Sequence, residues 1–172
     1  MYKVLTNFLN RFFKPATIYK YGLNWSPMYR RSTARVIEVS DDLHKVVITM
    51  KPSWKNRNYV GSIFGGSMLS ATDPIYMIQL MQILGDDYVV WDKAVEARYK
   101  KPAKSKIFGE FIFSEEDIIT IKQDLEKKNE IDLVKSMNLV DDKRQIIATF
   151  NKTMYVAKKQ FYKEKLKQRQ AN

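Results

Sequence analysis

The chain has 172 residues, 45% of them hydrophobic and 13% aromatic, enough for one domain with a real core and too apolar for wholesale disorder. It has no Cys and a single His, which excludes a disulfide framework, a thiol nucleophile and a multi-histidine metal centre, and leaves Cys–His or Ser–His catalysis without its parts. The net charge of +11 is uneven: residues 1–35 carry seven Lys or Arg and no acid, residues 158–172 carry six and only Glu164, and residues 36–157 are nearly neutral.

In chain order, Val4, Leu5, Phe8, Leu9, Phe12 and Phe13 recur at helical spacing, broken by Asn7, Asn10 and Arg11 and stopped at Lys14-Pro15. This predicts an amphipathic helix and not a signal peptide, which needs an unbroken apolar stretch and a small-residue cleavage site. Such a helix rests on the domain or a partner subunit, or anchors at a membrane surface. No stretch is long and apolar enough to suggest a membrane span, and the cytoplasm is the expected compartment. Tyr19 to Pro27 is expected to be loop. Arg35–Val39 and Lys45–Met50 are β-branched runs around Asp41-Asp42, a hairpin signal in which His44 sits at the turn.

Pro52 to Gly61 is expected as loop, followed by a helix over residues 63–84, apolar almost all round and stopped by Gly85. A helix of that kind is enclosed by the rest of the fold. Strand character returns at Tyr88–Tyr99, Ile107–Phe113, Ile131–Val140 and Ile146–Val156, the last two separated by Asp141-Asp142-Lys143. Glu115–Lys128 is predicted helical, with Ser114 as N-cap and three acids in its first turn. Lys158–Gln170 is a basic helix. Strands around a single apolar helix argue for an α+β domain, a largely antiparallel sheet wrapped round that helix. No repeat or linker divides the chain, so one domain is expected over 1–172, with a core of about 34–157 and basic helical extensions at 1–20 and 158–172.

Chemistry concentrates at the entry to the apolar helix. Gly65 and Gly66 permit close approach to the backbone, and the first amides of a helix are unpaired donors at its positive end. Asp73 follows about two turns later in apolar surroundings, where a carboxylate is hydrogen-bonded, raised in pKa or functional. Asp73-Pro74 also fits an N-cap with Pro at the first helical position, which would make 62–72 loop and Asp73 purely structural.

At these positions the chain resembles the hotdog-fold acyl-CoA thioesterases. In the branch that includes the phenylacetate-pathway enzymes, an Asn precedes a His-Gly-Gly turn by six positions and an Asp follows that His by nine. Asn58, Phe64-Gly65-Gly66 and Asp73 keep that spacing, with Phe64 in place of the His. Tyr99-Lys100-Lys101-Pro102-Ala103 is similar to the family's strand that ends in Pro-Ala or Pro-Gly. The resemblance implies a hotdog fold that pairs with a second copy into one continuous sheet, as dimers or dimers of dimers, with sites between subunits.

It further implies an acyl-CoA thioesterase in which the Gly65 amide, beside Gly66, polarises the thioester carbonyl. Asp73 of the partner subunit would be general base or nucleophile, and Asn58 would hold the water or the carbonyl. Phe64 would line the acyl site; Arg98, Lys100, Lys101 and Lys104 would meet the phosphates of coenzyme A. No metal and no cofactor beyond the coenzyme A of the substrate is called for. A thiolate leaving group with a pKa of about 8.5 needs little protonation, which suits a site without His. Two alternatives use the same residues differently: a hotdog protein that binds acyl groups or coenzyme A without turnover, and a nucleic-acid or membrane-surface binder working through the basic ends. The last would lose affinity steeply with salt.

Overall fold

A computed structural model describes residues 12–171 of the chain. The amphipathic segment expected near the start falls, up to residue 11, outside them. The loop expected over Tyr19 to Pro27 is helical instead: α1 spans Pro15–Trp25 and α2 spans Pro27–Arg31. Pro15 and Pro27 open these helices at their first turn, where the missing N–H costs nothing, so Lys14-Pro15 starts a helix and does not merely end one. Ala16, Tyr19 and Leu23 supply the buried stripe of α1.

The strands are β1 (Arg35–Val39), β2 (Lys45–Met50), β3 (Tyr88–Tyr99), β4 (Ile107–Ile112), β5 (Glu130–Asp141) and β6 (Ile146–Lys158). They form one antiparallel sheet in the order β1-β2-β4-β5-β6-β3. The apolar helix, α3 (Gly65–Leu84), is its central filling, with Ala71, Ile75 and Leu80 fully buried. Ile75 and Leu80 each contribute about 1.5–3 kcal/mol by leaving water. Gly85 stops α3 in a positive-φ conformation (82°) that suits glycine. This α+β architecture is the expected hotdog fold.

α3 continues unbroken through Asp73-Pro74, so Asp73 is a mid-helix residue and the capping alternative does not hold. Pro74 removes the N–H that would bond the Ser70 carbonyl, and Ser70 is exposed, so water can serve it. The helix is strapped on either side of this point. Tyr19 donates its hydroxyl to the Ile75 carbonyl at 2.8 Å, and Tyr29 donates to that of Ala71 at 3.3 Å. Burial pushes both phenols well above their ordinary range.

α4 (Glu115–Lys128) begins with a capping box in which Ser114 and Asp117 exchange side-chain and backbone hydrogen bonds, and ends at a left-handed Asn129. α5 (Lys159–Ala171) carries the basic end. The edges of the sheet differ. α1 packs over β1, whereas β3, twelve residues long, has a neighbour on one side only. No helix among the described residues is long and apolar enough to cross a membrane.

Candidate functional site

The loop after β2 is shaped by two asparagines. Asn56 is buried, accepts from Ser53 N–H, and donates to the Lys51 carbonyl and the Thr33 hydroxyl. Asn58 accepts from the Val60 and Ser62 N–H groups and donates to Ser62 Oγ at 3.0 Å, so its amide is committed to the turn. Phe64 N–H bonds Asn56 carbonyl and Ile63 N–H bonds that of Ala103, which fixes where α3 begins. Phe64 is its N-cap, in extended conformation and without a side-chain cap. No acceptor among the described residues takes the N–H of Gly65 or Gly66.

Both glycines are there for close contact. A Cβ on Gly66 would lie 2.3 Å from the Phe64 ring, and one on Gly65 would lie 3.1 Å from the Tyr99 ring. Tyr99 also donates its hydroxyl to the Gly65 carbonyl at 3.0 Å, and burial raises its pKa. Around this helix end runs a cavity of about 480 Å³ lined by Asn58, Phe64, Gly65, Met68, Tyr99, Lys100 and Lys101, among others. Its walls are mostly apolar, with two lysines at the rim and bare amides at the helix end. That combination accepts an uncharged chain carrying a carbonyl and a distant anion.

Lys100 and Lys101 thus share the cavity, with Lys101 donating to Gln145 Oε1 at 3.0 Å. Arg98 alternates to the other face of β3, where Glu96 holds it at 2.8 Å. Lys104 is exposed and does not line the cavity. Asp73 lies eight residues along α3 from Gly65, about 12 Å within one chain, too far for both to touch one carbonyl group.

Sequence reasoning missed the partner of Asp73. Lys152, at the centre of β6, turns inward between Phe150 and Met154 and is only 5% exposed. Its ammonium donates to Asp73 Oδ1 at 3.1 Å and to the Asp73 carbonyl, and forms an ion pair with Asp92 Oδ2 at 2.8 Å. Asp92 comes from β3, one residue before the bulge at Lys93. Its other oxygen is buried without a hydrogen-bond partner. Burial raises the Asp92 pKa; the Lys152 ammonium offsets part of this and the Asp73 charge adds to it. Asp73 itself stays 58% exposed at its side chain, the open member of the cluster. A signal existed in the sequence: Ala148, Phe150, Met154 and Val156 alternate as an apolar face, and Lys152 falls in phase with them.

The sequence profile of a family described as a domain of unknown function, DUF4442, matches residues 18–156. No curated protein matches the chain by sequence. Among solved structures, a Pseudomonas aeruginosa protein described as a probable thioesterase superposes with a TM-score of 0.73 at 17% identity, covering 84% of this chain and 96% of its own. A Haemophilus influenzae thioesterase gives 0.61 at 12% identity, over 83% and 90%. A mutant of a Staphylococcus aureus thioesterase gives 0.57 at 16%, over 77% and 99%. At these identities the likeness establishes the hotdog fold, shared with thioesterase-like proteins.

Proposed function

The chain belongs to the DUF4442 family, and we propose that it is an acyl-CoA thioesterase whose site is completed by a second copy of itself. The observation that carries this reading is the position of Asp73: mid-helix, half in solvent, with no capping duty, on the helix whose bare N-terminal amides face an apolar cavity. A carbonyl oxygen at Gly65 gains charge where the helix end is positive. The 12 Å separation along one helix calls for Asp73 from a partner. The one-sided β3 offers the means, since two such edges pair antiparallel about a two-fold axis and join the sheets.

In this reading the Asp73 carboxylate takes a proton from water as the water oxygen bonds to the thioester carbon. The C–S bond then breaks, the thiolate leaves with the electron pair, and the proton passes from Asp73 to solvent or sulfur. Phe64 and Met68 contact the acyl chain, Lys100 and Lys101 the phosphates, and Asn58 shapes the turn that presents Gly65. Attack by Asp73 itself on the carbonyl is the covalent variant of the same chemistry. The test is thiol release from a panel of acyl-CoAs by wild type and Asp73→Asn at moderate ionic strength. Turnover by the wild type and a loss of two orders of magnitude or more in the variant support the reading. Binding of acyl-CoA without turnover favours the non-catalytic alternative, and salt-sensitive binding to nucleic acid or anionic vesicles favours the basic ends.

A further inference from the structure

The hydrolytic reading assigns Asp73 a role but does not say what aims its carboxylate. We infer that Lys152 is a positioning residue, which clamps Asp73 as an oriented anion, with Asp92 as the counter-carboxylate that holds Lys152 in place. The inference rests on the thioesterase reading and adds to it a three-residue charge cluster drawn from α3, β6 and β3.

The geometry carries it in three steps. First, Lys152 is buried among apolar neighbours, where a lysine is tolerated only if paired. Its bonds run to the Asp73 carboxylate, the Asp73 carbonyl and Asp92, so the carboxylate is gripped beside its own backbone anchor. Second, the other charged groups near the ammonium do not compete for it. Lys135, directly opposite on β5, is bound to Asp117 of α4 at 2.8 Å. Third, Lys152 grips one oxygen of Asp73, leaving the other free of any protein donor among the described residues, while most of the side chain stays in solvent. An ammonium that holds one oxygen fixes the direction of the carboxylate and leaves the second oxygen free to take a proton from water.

The cluster also bears on the missing motif histidine. Lys152 places a fixed positive charge at the carboxylate, not at the carbonyl, so binding of the carbonyl is left to the Gly65 and Gly66 amides. The division of labour is then between a helix end that draws charge out of the carbonyl and a lysine that holds the base in readiness.

The experiment uses the full chain and three variants. Lys152→Met alone leaves Asp92 buried and uncompensated, so the main probe is Lys152→Met/Asp92→Asn, which removes both charges together; Lys152→Arg is the rescue and Asp73→Asn the control. The double variant is expected to lower kcat at least tenfold with KM changed less than threefold; Lys152→Arg restores most of the rate. An unchanged kcat, alongside an inactive Asp73→Asn, overturns the positioning role and leaves the thioesterase reading standing. Full activity in Asp73→Asn overturns that reading and the positioning role with it. If the wild type turns over no acyl-CoA, the clamp is read by modification with a water-soluble carbodiimide, which the gripped oxygen of Asp73 meets less readily, and mass spectrometry of the Asp73 peptide. Labelling several-fold faster in the double variant than in wild type at mildly acidic pH supports the clamp; equal labelling overturns it.

Discussion

Two lysines face each other across β5 and β6, and each reaches an aspartate on a helix, yet the two pairs do different work. Lys135 binds Asp117, whose carboxylate also accepts from the Ser114 N–H in the capping box of α4. Lys152 binds Asp73, which caps nothing, lies mid-helix and keeps one oxygen open. The first carboxylate is tied through Oδ2 to both its lysine and a helix cap, and the second has no tie to the fold beyond its lysine. What separates a structural ion pair from a reactive one here is therefore the capping bond that Asp117 makes and Asp73 lacks. Their environments differ in the same sense. At Asp117 burial pushes the pKa up, but Lys135 and the Ser114 bonds outweigh it and the net shift is downward; at Asp92, the second partner of Lys152, burial wins.

The largest expected effect breaks the comparison outright if it fails. Asp73→Asn should reduce acyl-CoA hydrolysis by about 10²- to 10⁴-fold with little change in melting temperature, while Asp117→Asn should leave turnover near wild type. Equal losses in both variants would erase the distinction. Next comes stability. Lys152→Met strands the half-buried Asp92 carboxylate and should cost about 1–3 kcal/mol. Lys135→Met should cost clearly less, since Asp117 keeps its bond to the Ser114 amide. Urea unfolding of the two proteins measures the contrast.

A finer test uses pH. Asp117 has a lowered pKa in the folded state, so its stabilisation is present above the ordinary carboxylate range and is lost as pH falls through the lowered value. Asp92 has a raised one, so its contribution runs the other way: it weighs against folding as pH rises from the ordinary range through the raised value. Unfolding free energies between about pH 3 and pH 7 should therefore flatten on opposite sides, Asp117→Asn removing acid-induced loss and Asp92→Asn removing acid-induced gain. The smallest effect sharpens the cap: Ser114→Ala should cost about 1 kcal/mol and leave hydrolysis unchanged.

Much of this was legible before any coordinates. β1, β2, β3 and α4 fall on the predicted residues because their signals are local: β-branched runs, an Asp-Asp turn, a Ser cap followed by three acids. The misreading of α1 has an equally local cause. Its buried stripe is Ala16, Tyr19 and Leu23, weak in hydrophobic contrast, and its two prolines look like breaks when they are starts. Asp73-Pro74 is the same ambiguity resolved the other way, because a helix enclosed by the sheet and strapped by Tyr19 and Tyr29 tolerates a proline that local propensity forbids. The glycines and Asp73 were visible as spacing. That Lys152 closes on both Asp73 and Asp92 was not, because the two contacts span 79 and 60 residues of sequence and the second adjoins a bulge at Lys93. The period of β6 marks Lys152 as inward-facing but cannot name what it meets.

The central claim is that Gly65 of one subunit and Asp73 of the other serve a single thioester, and mixing inactive subunits tests it most directly. Asp73→Asn lacks the base. Gly65→Pro lacks the amide donor and suits the first position of a helix after the extended Phe64, with the Tyr99 ring giving way by a few tenths of an ångström to its Cβ. Each variant alone should be inactive. When the two are unfolded together and refolded, half the dimers pair one variant with the other, and each such dimer regains one intact site of two, giving about a quarter of wild-type turnover. A mixture as inactive as its parents, in dimers shown to exchange, would place Gly65 and Asp73 in sites within single chains and contradict the account.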